Sequence, residues 1–217
     1  MEIYNDFPFL NENTTVALGY FDGVHLGHRA VIDAAVQYAK LHEITPAVFT
    51  FALNDAFLTS RGGDILSATQ KEKRIAKLGI NHYVCPPASA FYGKSAAWFV
   101  EKILHKKLKA KAVFCGRDFT LGKAKEADVT ALKQLCSAFD IEVIVIDSIT
   151  VDGEAVSSTR IRSLLKNGEI EQVNTLLGTP YAIDFEVVHG KQLGRTIGTP
   201  TINQLYPPHL VSPKYGV

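Results

Sequence analysis

Thr15-Val16-Ala17-Leu18-Gly19-Tyr20-Phe21-Asp22-Gly23-Val24-His25-Leu26-Gly27-His28 is the stretch on which the reading of this chain turns. Its apolar start predicts a buried strand over Thr15–Leu18. Beyond it, Ala30, Val31, Ala34, Ala35 and Tyr38 recur at helical spacing, so Arg29–Leu41 is expected to be an amphipathic helix. The segment between joins the carboxyl end of a strand to the amino end of a helix, where free N–H groups and the helix dipole hold anions. Two imidazoles three residues apart reach one anion from a single turn. Gly23 and Gly27 remove side chains where a ligand or backbone must approach. We read this segment as a phosphate-handling site. Zinc ligation by His25 and His28 lacks a third ligand at useful spacing. Neither the dinucleotide fingerprint nor a P-loop is spelled out.

The pattern outward from this turn is strand and helix in alternation. Strands are expected at Thr15–Leu18, Ala47–Phe51, His82–Cys85, Lys111–Cys115 and Glu142–Ile146. Helices are expected at Arg29–Leu41, Thr69–Leu78, Ala96–Lys106 and Val129–Phe139. Such alternation predicts an α/β fold, a doubly wound parallel sheet of five strands covered on both faces. Its ligands bind beyond the carboxyl ends of the strands, where strand order reverses. Ser157 or Ser158 suits an N-cap for Thr159–Lys166, and Ile170–Leu177 is a further helix. Gly178-Thr179-Pro180 is the expected domain boundary. After it, Tyr181–Val188 alternates as an antiparallel strand does.

Composition bounds the rest. The 217 residues are 47% hydrophobic with a net charge of +1, so a globular core is expected and no strong field favours nucleic acid or an anionic membrane. Basic runs such as Lys102–Lys111 and Lys123–Lys125 read as solvated surface. Cys85, Cys115 and Cys136 form no Cys-x-x-Cys pair, which suits reduced, buried thiols and a cytoplasmic setting. Met1–Asn13 carries acids and no basic residue, unlike a secretory signal, and no apolar stretch approaches bilayer length. Oligomeric state is not legible.

Gly19–His28 resembles the His-x-Gly-His nucleotidyltransferases, and within them the FAD synthetase module of the bacterial bifunctional riboflavin kinase/FMN adenylyltransferase family. Val156-Ser157-Ser158-Thr159-Arg160-Ile161-Arg162 is similar to the Ser-Ser-Thr-x-Ile-Arg signature of that superfamily. Cys115-Gly116-Arg117-Asp118-Phe119-Thr120-Leu121-Gly122 is similar to its Gly-x-Asp-Phe-x-Phe-Gly stretch. The resemblance implies a Rossmann-like nucleotidyltransferase domain over 1–180 that converts FMN and ATP to FAD and pyrophosphate, with Mg2+ on the polyphosphate. It implies His25, His28 and Arg162 as catalytic groups, Arg162 as a fork on the β- and γ-phosphates. Nucleotide contacts would come from Gly19, Phe21, Asp22, Gly23, Gly27, Gly116, Asp118, Ser157, Ser158 and Thr159. Arg160, two residues from Arg162, is expected to face solvent. Asp22 could instead serve only its Asp-Gly turn.

Gly190–Asn203 resembles the opening of the family's riboflavin kinase barrel, whose Thr and Asn help hold nucleotide and magnesium; Thr201 and Asn203 match them. Residues 181–217 are therefore expected to be the start of an antiparallel β-barrel, too short to close, and no competent kinase is expected. The family's Phe-x-Pro-His-Pro loop is replaced by Phe49-Thr50-Phe51-Ala52-Leu53-Asn54-Asp55-Ala56-Phe57. Two other classes therefore stay open, nucleotidyl transfer to another phosphorylated acceptor and non-catalytic binding of ATP or flavin.

Overall fold

The computed structural model describes residues 1–54, 58, 62–191 and 193–215. Its centre is a parallel sheet of β1 (Glu2–Tyr4), β2 (Thr14–Leu18), β3 (Thr45–Phe49), β4 (His82–Val84), β5 (Ala110–Gly116) and β6 (Glu142–Ile146), in the order β1-β4-β3-β2-β5-β6. The expected five strands are present, and Glu2–Tyr4 adds a sixth on the outer edge, in register with His82–Val84. Three residues, two of them exposed, carry too little periodicity to announce that strand. Tyr4 and His82 tie it to its neighbour, with the His82 ring 2.6 Å from Glu12.

Side chains alternate across the sheet and build two cores. Ala17, Val48, Tyr83, Ala112 and Phe114 face α1 (Leu26–Leu41), α2 (Ala68–Ala76), α5 (Ser158–Asn167) and α6 (Ile170–Leu177). Val16, Leu18, Ala47, Phe49, Val84, Val113 and Cys115 face the opposite layer of α3 (Ala96–Trp98), its π-helical continuation Phe99–Lys107, and α4 (Val129–Ser137). The helix expected over Ala96–Lys106 is therefore real but wound with i→i−5 bonds, closed by Leu108 N–H on Ile103 O. Ser67, Asp128 and Ser157 cap the starts of α2, α4 and α5. Burial raises the Cys115 thiol to about 11 and Cys136 to about 12, so both are inert; Cys85 is only half-buried.

The chain leaves β2 for β3 and β4 on one side, then returns through β5 and β6 on the other. The switch point lies between β2 and β5. Beyond it, β7 (Thr150–Val151) and β8 (Glu154–Ala155) form a small hairpin ahead of α5. Arg160 clasps that hairpin, donating to Val151 O at 3.1 Å and Glu154 O at 3.2 Å and pairing with the Glu154 carboxylate. It does not simply face solvent, because the hairpin folds back over the first turn of α5. Past Gly178 the antiparallel expectation reduces to β9 (Val187–Val188) paired with β10 (Asn203–Gln204), with a short α7 (Leu193–Thr196) between them.

Candidate active site

A cleft of about 1140 Å³ opens at the switch point, and all three motifs border it. Gly19, Phe21, His25, Gly27 and His28 come from the β2–α1 segment, Gly116 and Asp118 from the end of β5, and Ser157, Ser158, Thr159 and Arg162 from α5. Stretches more than a hundred residues apart thus converge where the alternation pattern said a ligand should sit.

The histidine pair forms the floor. His25 is the N-cap of α1, and its Nδ1 accepts the His28 N–H at 3.3 Å. A neutral imidazole that accepts on Nδ1 carries its proton on Nε2, so His25 is a hydrogen-bond donor at that atom. The two rings stack with centroids 3.5 Å apart, and the edge of Phe21 meets His28 at 5.4 Å. Burial lowers the His25 pKa to about 4, against a small opposing pull from Asp118. Burial, His25 and Lys71 together push His28 well below its ordinary value. Both rings are neutral at pH 7. Among the described residues the buried His28 Nδ1 has no hydrogen-bond partner, an unmet polar group of the kind a ligand satisfies.

The turn that delivers these rings holds Phe21 and Val24 at φ +56° and +46°, left-handed conformations uncommon for large side chains. Asp22 and Gly23 lie behind the cleft wall. The Asp22 carboxylate accepts Ile65 N–H at 2.8 Å and Arg162 Nη2 at 2.5 Å, while its carbonyl accepts Ser158 Oγ at 2.8 Å. Gly23 packs against Ile65 and Leu177. Arg162 also donates through Nε to Gly63 O at 2.8 Å. Its guanidinium borders the cleft from a fixed seat and is not a free arm. Ser157 Oγ is occupied capping Arg160 N–H and Ser158 Oγ donates to Asp22 O, leaving exposed Thr159 as the hydroxyl at the start of α5 with no hydrogen bond among the described residues.

Two features escape the sequence reading. Lys71, 8% exposed, lies beneath Tyr20, its Nζ 3.3 Å from Tyr20 O, 3.5 Å from Thr50 Oγ1 and 4.6 Å from the Tyr20 ring. Burial lowers its pKa, offset by nearby Cys85, Asp64 and Asp22. A lysine among polar neighbours in a surface-like helix gives no sign of such burial. The second feature is aromatic. Phe51, Phe91, Tyr92 and Phe119 line the cleft, with Phe51 5.0 Å from Tyr20 and 5.7 Å from Phe91. Of the divergent Phe49–Phe57 segment, Asp55, Ala56 and Phe57 lie outside the described residues; Phe49 and Phe51 line the cleft. Lys123 and Lys125 also border it, on a loop where Glu126 accepts Ala96 N–H at 2.7 Å.

Thr201 and Asn203 are not part of this site. Both are exposed on the small β9–β10 segment, away from the cleft lining. Among the described residues no group of three or more His, Cys, Asp or Glu gathers to hold a metal by protein ligands alone.

A parallel doubly wound sheet with a histidine-capped helix at its switch point defines a nucleotide-handling α/β protein. Comparison with known proteins narrows this. The FAD synthetase family matches residues 8–160 and the riboflavin kinase family matches 177–217, and the chain belongs to the FAD synthetase family. Bifunctional riboflavin kinase/FMN adenylyltransferases are similar to it: that of Listeria monocytogenes is 37% identical over 94% of this chain and 66% of its own length. That of Bacillus subtilis is 35% identical over 88% and 61%. The chain thus spans just under two thirds of these relatives. A Streptococcus pneumoniae crystal structure described as a macrolide-efflux protein superposes with a TM-score of 0.85 at 28% identity, covering 99% of this chain and 72% of that one. Among the described residues no helix is long and apolar enough to cross a membrane. A Francisella tularensis pantoate-beta-alanine ligase shares the fold alone, at a TM-score of 0.52 and 15% identity.

Proposed function

We propose that the cleft carries out FMN adenylyl transfer, with ATP and FMN as substrates and FAD and pyrophosphate as products. The observation that carries this reading is the convergence of the histidine pair, Asp118 and the start of α5 on one cleft, in a chain of the FAD synthetase family. An FMN phosphate oxygen forms the new bond to the α-phosphorus of ATP, and the bond to the pyrophosphate oxygen breaks. The nucleophile is already anionic at pH 7, so no base is needed, and positioning with charge neutralisation does the work.

The neutral rings of His25 and His28 then act as N–H donors to the α-phosphoryl oxygens at the amino end of α1, where the helix dipole adds to them. Thr159 and the first N–H groups of α5 hold the leaving phosphates, with the charge of Arg162 beside them. Phe51, Phe91 and Tyr20 supply flat apolar surface for the flavin ring. Magnesium on the polyphosphate would meet Asp118 as its protein carboxylate; a single carboxylate suits an ion held mainly by phosphate and water.

On this reading residues 1–180 form the transfer unit and 181–217 the opening of a kinase-type unit, in a cytoplasmic protein. The short β9–β10 pair, with Thr201 and Asn203 exposed on it, supports no riboflavin phosphorylation by this chain alone. Incubation with ATP and magnesium, plus either FMN or riboflavin, tests both statements by chromatography. FAD and pyrophosphate are expected from FMN, and neither FMN nor FAD from riboflavin. Absence of FAD with ATP still bound would overturn FMN as the acceptor.

A further inference from the structure

Gly62-Gly63-Asp64-Ile65 has no part in the motifs, yet it touches both the Asp22–Arg162 pair and the carboxyl-terminal segment. On one side Gly63 O accepts Arg162 Nε at 2.8 Å, and Ile65 N–H donates to Asp22 Oδ1 at 2.8 Å. These are backbone partners of the ion pair behind the cleft. On the other side the same residues pair as a parallel bridge with the carboxyl-terminal segment: Asp64 N–H donates to His209 O at 2.9 Å, and Val211 N–H to Asp64 O at 2.8 Å. The approach is so close that a Cβ on Gly63, which sits at φ +86°, would lie 2.5 Å from Leu210 C and Val211 N. Leu210 and Val211 are buried, Val211 within the core that holds Phe21 and Ile161. Tyr206 Oη closes on Val211 O at 2.5 Å, and Lys214 N–H reaches Leu165 O on α5.

We propose that Gly63–Ile65 is a positioning ledge and that Leu210–Val211 holds it. The kinase-side segment thereby fixes Arg162 and Asp22 for the nucleotide, without lining the cleft. The alternative, a packed surface strand with no bearing on the cleft, leaves unexplained why the same short segment that pairs with Leu210 also gives one backbone contact to Arg162 and one to its counter-ion. This inference rests on the cleft being the ATP site.

Coupling between two sites is reciprocal, so ATP must tighten the ledge as the ledge tightens ATP. Hydrogen exchange on the wild-type chain, with and without ATP and magnesium, is expected to show slower exchange at the Asp64, Ile65 and Val211 amides. Protection confined to residues 19–31 and 157–162 would overturn the proposal. Val211→Pro removes the donor to Asp64 O, and Gly63→Ala wedges the two segments apart. By calorimetry each is expected to weaken ATP binding about tenfold, and to do so no further in an Arg162→Ala background. An equal loss in that background would show that the ledge acts elsewhere and overturn the proposal. These measurements need no FMN, so wild-type chain that binds ATP but makes no FAD removes the acceptor assignment alone. Wild-type chain that binds no ATP overturns both readings.

Discussion

Arg162 and Asp22 lie 140 positions apart, yet they meet in a 2.5 Å hydrogen-bonded ion pair, with side chains 12% and 3% exposed. The pair, with the Ser158 hydroxyl on Asp22 O, ties the start of α5 to the β2–α1 turn that carries the histidines. A guanidinium that borders the cleft is thus held in place by a carboxylate outside the cleft lining.

Removing one partner strands the other. Asp22→Ala leaves the Arg162 guanidinium buried without a counter-charge, and stability is expected to fall by about 3 kcal/mol in urea unfolding. The paired replacement Asp22→Leu with Arg162→Met should recover most of that loss while leaving FAD formation reduced on the order of 10²-fold or more. Recovery of both would reduce Arg162 to a structural role.

The histidines set a pH dependence whose sign follows from their direction of shift. His25 titrates near pH 4 folded against 6.5 in its ordinary state, so between those values the unfolded chain binds the extra proton. Stability contributed by the neutral ring is full above pH 6.5 and is lost as pH falls toward 4, by about 2 kcal/mol between pH 6.5 and 5. His28 shifts the same way. Urea unfolding at pH 7, 6 and 5 should show this slope in wild type and a shallower one in His25→Asn.

Gly27 separates folding from function. It lies in α1, where alanine is intrinsically favoured by up to about 1 kcal/mol. A Cβ there would sit 3.2 Å from His25 Cε1 and 3.3 Å from its Nδ1, so the imidazole must shift by a few tenths of an ångström. Gly27→Ala is expected to keep or raise the melting temperature while lowering the FAD-forming rate about tenfold or more.

Phe51 tests the acceptor end. Its contacts with Tyr20 and Phe91 belong to the aromatic wall alone. Phe51→Ala should raise KM for FMN roughly tenfold and leave KM for ATP unchanged. Equal effects on both would place the flavin elsewhere.

Thr201 and Asn203 give the contrasting case. Exposed and outside the cleft lining, they are expected to be silent: Thr201→Ala and Asn203→Ala should leave FAD formation within about twofold of wild type.

Residue spacing alone determined the parallel sheet, the helix that follows His28 and the position of the cleft; only the structure begins that helix at Leu26 with His25 as its cap. Each depends on local periodicity, and a doubly wound topology leaves one place where strand order reverses. Family resemblance in the three motifs pointed to one shared site, and all three border the same cleft. Tertiary structure decided the partnerships. Asp22 reads as a nucleotide contact or a turn residue until Arg162 and Ile65 arrive, and nothing in the sequence singles out Lys71 until Tyr20 and Thr50 close over it. Arg160 reads as solvated until the β7–β8 hairpin folds back. Gly63 gives no hint of Leu210, since backbone pairing between distant segments leaves almost no trace in side-chain pattern. Chemistry of type and spacing is written along the chain. The burial that neutralises the histidines and fixes the arginine exists only once long-range packing has excluded water.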